Sequence, residues 1–68
     1  MTAMERVWIR MKTNATKLGG RKRLIGLAES RDTVLRLCRS EKASPPPGEA
    51  LEYLAVELVR LTQERQTP

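Results

Sequence analysis

Histidine and phenylalanine are absent from this chain, and cysteine occurs once, at Cys38. Each absence removes a class of function. Without histidine there is no imidazole to move protons at neutral pH, and nothing to share a zinc ion with Cys38. A lone cysteine cannot close an internal disulfide. No apolar run approaches the ~20 residues needed to cross a bilayer. The opening Met1-Thr2-Ala3-Met4-Glu5-Arg6 meets charge before any apolar stretch, so it does not read as a signal peptide. There is no phosphate-binding glycine loop, no nucleophile–base pair and no metal-ligand spacing. The expectation is a cytoplasmic protein that is not an enzyme. It would have no catalytic residues, cofactor or metal, no membrane partner, and Cys38 as a reduced core residue.

What is present is charge and helix-forming residues. The 68 residues carry 13 Lys+Arg against 8 Asp+Glu, a net +5. Leu, Ala, Arg, Lys and Glu dominate, which favours helix over sheet. The length implies a single domain, 1–68, near the lower limit for a self-sufficient core. The positive charge is unevenly placed. Residues 10–42 hold ten basic side chains and three acidic ones, a net +7, whereas residues 43–68 hold two and four, a net −2. A charge run is often only a solvated face, but segregation of this kind favours a polyanionic partner.

Hydrophobic spacing divides the chain into four helices. Met4, Val7, Trp8, Met11 and Ala15 recur at helical intervals and predict a first helix over about 3–15. Residues 5–11 also alternate as a strand would, but the helical pattern matches more positions. Gly19-Gly20 predicts a break, followed by a short helix over about 21–28. Ser30 is a suitable N-cap for a third helix over about 31–39, with Asp32 suited to its dipole and Val34, Leu37 and Cys38 facing inward. A proline-rich loop at 43–48 leads into a fourth helix over about 49–63, with the stripe Leu51, Leu54, Ala55, Leu58 and Leu61. Residues 64–68 form a frayed tail. The expected fold is all-α, a compact bundle of four helices, or five, containing a helix-turn-helix.

Two short helices joined by a tight turn, the second amphipathic and cationic, would place polar side chains in a DNA major groove. The stretch Leu18-Gly19-Gly20-Arg21-Lys22-Arg23-Leu24-Ile25-Gly26-Leu27-Ala28-Glu29-Ser30-Arg31-Asp32-Thr33-Val34 resembles the lambda-repressor/Cro-type helix-turn-helix family. Less tightly, so does the continuation through Pro45 into Glu49-Ala50-Leu51-Glu52-Tyr53-Leu54-Ala55. The resemblance implies base contacts by Arg31, Asp32 and Arg36, and phosphate contacts by Arg21, Lys22, Arg39 and Lys42. Arginine can bond guanine O6 and N7 together, and aspartate can accept from cytosine N4. Ala28 stands where the family usually has a turn glycine, and Gly20 where it often has a glutamine that reaches DNA.

The fourth helix has apolar residues around more than half its circumference. Tyr53, Val56 and Val59 therefore form a candidate homodimer interface, which would also present two recognition helices to a palindromic site. The resulting expectation is a small sequence-specific DNA-binding regulator, a homodimeric repressor of phage, plasmid or bacterial type. Its partners would be double-stranded DNA and a second copy. The alternative is a protein-interaction module on the same scaffold, with another protein as its partner.

Overall fold

The computed structural model describes residues 1–20 and 25–66, with side chains described for 1–15 and 25–64. It is all-helical, with α1 (Ala3–Gly20), α2 (Leu27–Ser40) and α3 (Gly48–Gln66). Among the described residues there is no strand, and there are three helices rather than four or five. No helix is long and apolar enough to cross a membrane among those residues.

The start of α1 is a capping box. Thr2 Oγ1 accepts from the Glu5 amide at 3.1 Å, and Glu5 Oε1 accepts from the Thr2 amide at 2.8 Å. These reciprocal bonds satisfy amides that the first turn would otherwise leave without partners. The carboxylate-stabilising bonds from Thr2 lower the Glu5 pKa below its ordinary value. The helix then continues past the expected end at Ala15, because Ala15-Thr16-Lys17-Leu18 offers no proline or cap to stop it. It ends at Gly20.

α2 departs most from the sequence expectation. Arg21–Leu24, most of the expected second helix, lie outside the described residues. Ile25 and Gly26 are non-helical, and Leu27 and Ala28 form the first turn of α2. Gly26 is the N-cap, extended at φ −79° and ψ 166°, and its carbonyl accepts from the Ser30 amide at 2.9 Å. Starting there lets the good helix formers Leu27, Ala28 and Glu29 join the helix, with Glu29 favourably placed in the dipole. Ser30 is therefore interior to α2 and caps nothing. Asp32 lies in the second turn, and a 14-residue helix runs through the expected turn at Ala28–Ser30.

α3 follows Pro45–Pro47, whose rings cannot lie within a helix but can lead into one. The Pro47 carbonyl accepts the Leu51 amide at 2.8 Å, and the helix extends to Gln66, beyond the expected end at Gln63. The core unites Val7, Met11 and Ala15 of α1, Ile25 of the connection, Val34, Leu37 and Cys38 of α2, and Leu58 of α3. Ala55 is buried with them. Trp8, Leu51, Leu54, Val59 and Leu61 pack against the cluster from the side. α1 and α3 share the largest interface, and α1 and α2 the smallest.

Among the described residues three polar side chains are buried: Ser30, Thr33 and Thr62. Thr33 donates to the Glu29 carbonyl at 2.9 Å and Thr62 to the Val59 carbonyl at 2.7 Å. Ser30 Oγ is fully buried and has no hydrogen-bond partner. An unsatisfied buried hydroxyl costs about 1–3 kcal/mol. Ser30→Ala is therefore expected to leave stability unchanged or raise it by about 1 kcal/mol in urea unfolding. Were Ser30 an N-cap, the same change would lower stability by about 0.5–2 kcal/mol.

Candidate functional site

The described arginines fall into two groups. Arg6 and Arg10 reach from α1 to Glu41 at the end of α2, at 3.1 and 3.0 Å. Arg31 bonds Glu52 of α3 at 2.7 Å, and Arg60 pairs within α3 with Glu57, at 2.6 Å, and with Glu64. These four are paired with carboxylates. Among the described residues, Arg36 and Arg39 have no carboxylate partner, and neither has Lys42. These three unneutralised cations follow one another along the last turns of α2 and its exit. Arg39 suits the negative end of the helix dipole, but that effect is confined to the last turn and leaves Arg36 unexplained.

The exit itself is built around Lys42. The Lys42 amide donates to the Arg39 carbonyl at 3.2 Å, and the Ala43 amide to the Cys38 carbonyl at 2.9 Å. This paired closure requires a left-handed residue at Lys42, whose φ is 58°. It is the only described non-glycine residue with positive φ. Glycine is the usual occupant, because a Cβ in this conformation costs about 1–2 kcal/mol. Here the position carries a solvent-exposed ammonium instead.

The expected site residues are divided among different surfaces. Asp32 and Arg36, four residues apart on α2, are exposed near its solvent side and carry no ion pair. Arg31 turns toward α3, where it is only partly exposed and is held by Glu52. Arg39 and Lys42 are exposed at the end of α2, whereas Arg21 and Lys22 lie outside the described residues. Of the expected interface residues on α3, Tyr53 and Val56 are exposed, but Val59 packs against the chain's own core. A separate apolar groove runs between α1 and α3, lined by Met4, Glu5, Trp8, Ile9 and Leu54. The Lys12 ammonium sits 5.4 Å from the Trp8 ring centre, a cation–π distance.

Where α1 and α2 separate, they leave a cleft of about 440 Å³ lined by Arg10, Asn14, Ile25, Glu29, Thr33, Arg36, Leu37 and Ser40. Ser40 Oγ and Glu41 both accept from the Arg10 guanidinium, which fixes it at the lip. Arg36 stands one turn before Ser40 on the same side of α2, and one of its nitrogens bonds Thr33 Oγ1 at 3.4 Å. No group of three or more acidic or cysteine side chains could hold a metal among the described residues. Burial pushes the Cys38 thiol pKa up, away from the thiolate that reactivity needs.

Comparison with family models, with curated proteins and with solved structures finds no match. Two features of the molecule lie outside the sequence expectations. Thr2-x-x-Glu5 has the spacing of a capping box and was legible as such. Arg6 and Arg10, one helical turn apart, could be read as sharing a side of α1, but their common partner Glu41 is distant in sequence and comes near only through packing.

The Arg10 hydrogen bond, with Arg6 alongside, holds the Glu41 carboxyl below its ordinary value of 4.5. A depressed carboxylate pKa stabilises the fold above the unfolded value, and that stabilisation is lost as pH falls through the folded value. Glu41→Gln should therefore lower stability at neutral pH and reduce the further loss of stability below about pH 4.5, seen by circular dichroism at matched ionic strength. Parallel acid limbs in the two proteins would show that this linkage does not act.

Proposed function

We propose that this protein is a small DNA-binding regulator that grips the duplex with the C-terminal half of α2 and its exit. The observation that carries this reading is the partition of charge. Arg6, Arg10, Arg31 and Arg60 are neutralised by carboxylates, while Arg36, Arg39 and Lys42 are left together without one. Cations that neutralise phosphates release condensed counterions, and this term supplies most non-specific affinity for DNA. The left-handed Lys42 supports the reading, since a local conformational cost is accepted where a glycine would relieve it.

Sequence preference in this reading falls to Asp32 and Arg36, which are exposed and have the chemistry to read cytosine and guanine edges. Arg31 is left out because Glu52 holds it toward α3. The basic stretch Arg21-Lys22-Arg23 immediately precedes α2 in the sequence and would add further phosphate contacts. Regulation as a homodimeric repressor belongs to the same proposal. Tyr53 and Val56, both exposed on α3, are the available dimer contacts, and two copies would double the phosphate grip.

The groove formed by Met4, Trp8, Ile9 and Leu54 favours a second reading, a module that docks on another protein. Protein partnership without DNA affinity would select it.

The Lys42→Gly variant separates stability from binding. It should raise folding stability by about 1 kcal/mol, because glycine adopts the left-handed conformation freely. It should also weaken binding to a short fluorescent duplex and reduce the log–log salt slope by about 1, as expected for a lost phosphate contact. Arg36→Ala should cost about 1–3 kcal/mol at one base pair of a preferred site. A wild-type protein that does not raise duplex anisotropy at low salt would overturn the proposal.

A further inference from the structure

We infer that the cleft between α1 and α2 is a binding site for a phosphate group, with Arg10 and Arg36 as its cationic walls. The two guanidiniums come from different helices and line one concavity together with Asn14, Thr33 and Ser40, over an apolar floor of Ile25 and Leu37. Arg10 is already oriented by Ser40 and Glu41. It can meet an anion with little further loss of side-chain freedom. Arg36 makes only the long 3.4 Å contact with Thr33, which leaves most of its five N–H donors unclaimed. Glu29 also lines the cleft and Glu41, shared with Arg6, pairs with Arg10 at its lip, so Arg6, Arg10 and Arg36 together outweigh two carboxylates by one positive charge. Planar guanidinium forks match phosphate oxygens in pairs, which a point-charge lysine cannot do.

The volume of about 440 Å³ lies within the range of small-ligand pockets, about 300–1,000 Å³. It exceeds what one hydrated ion needs, and Ile25 and Leu37 add apolar surface to it. Two sources could supply the phosphate: a small phosphomonoester, whose organic part would cover that floor, or a phosphate of a nucleic-acid backbone. The inference rests on the cleft alone and does not require the DNA reading.

The test titrates the intact chain with inorganic phosphate against chloride at constant ionic strength, following melting temperature and the amide spectrum. Phosphate should raise the melting temperature above the chloride control and shift the amides of residues 10, 14, 36 and 40. Arg36→Gln should weaken phosphate binding about tenfold, as loss of a charge-assisted fork implies. Asn14→Asp, which adds a second carboxylate to the lining, should do the same, whereas Arg60→Gln, on α3 and outside the cleft, should bind as wild type does. Equal effects of phosphate and chloride would overturn the inference, as would an Arg36→Gln variant with unchanged affinity. A second arm adds a short duplex to the phosphate-loaded protein. Displacement of phosphate assigns the cleft to the nucleic-acid backbone, and retention assigns it to a free phosphoester; either supports the site. Phosphate binding without any duplex binding would count against the DNA proposal and leave the cleft assignment standing.

Discussion

The stripe Ser30, Thr33, Val34, Leu37 and Cys38 has to be buried along the whole of α2, and that requirement organises this domain. A helix starting at Arg31 would run just under three turns to Ser40 and still carry Val34, Leu37 and Cys38. Starting at Gly26 adds a turn and brings Ser30 into the interior without a partner for its hydroxyl. The added turn buries no apolar side chain, since Leu27 and Ala28 are exposed. The unsatisfied hydroxyl, about 1–3 kcal/mol, is instead offset by Val34 and Leu37 farther along α2, at roughly 1.5–3 kcal/mol each. In so small a domain both figures are substantial against a total stability of about 5 kcal/mol.

The surface charge follows from the same placement. With α2 in register, its last residues meet α1, so Glu41 comes between Arg6 and Arg10, and Arg31 comes opposite Glu52. Those pairs are exposed and individually worth about 0–1 kcal/mol. Their larger effect is on the distribution of charge. They remove four guanidiniums, counting Arg60, from the cationic surface and leave Arg36, Arg39 and Lys42 as a local concentration. The small α1–α2 interface also leaves the cleft open beside Arg36. The proposed phosphate cleft and the proposed DNA-binding end of α2 therefore share one residue, Arg36, and one structural origin.

Much of the fold was legible in the sequence. Val7, Met11 and Ala15 on α1, Val34, Leu37 and Cys38 on α2, and Ala55 and Leu58 on α3 are buried as their spacing implies. The misreading began at Ser30, where a good capping residue competed with a buried position, and local preference lost to tertiary burial. Leu27, within the stretch that resembles a helix-turn-helix, is exposed in the first turn of α2. Gly19 and Gly20, expected to mark a break, both belong to α1, and the residues that follow them lie outside the described ones. The candidate site was only partly legible. Asp32, Arg36, Arg39 and Lys42 are exposed and accessible, while Arg31 was lost to Glu52, twenty-one residues away in the chain, a pairing that no local pattern encodes.

The account depends on α2 being one helix whose free cations meet DNA. Amide NMR of the isotope-labelled chain, titrated with a short duplex at low salt, measures both at once. The account predicts helical chemical shifts continuous from Leu27 to Ser40, and duplex-induced changes concentrated on residues 36–43 and the solvent side of α2. A helix interrupted at Ala28–Ser30 would contradict the fold. Changes confined to the Met4, Trp8 and Leu54 groove, or no changes at all, would contradict the function.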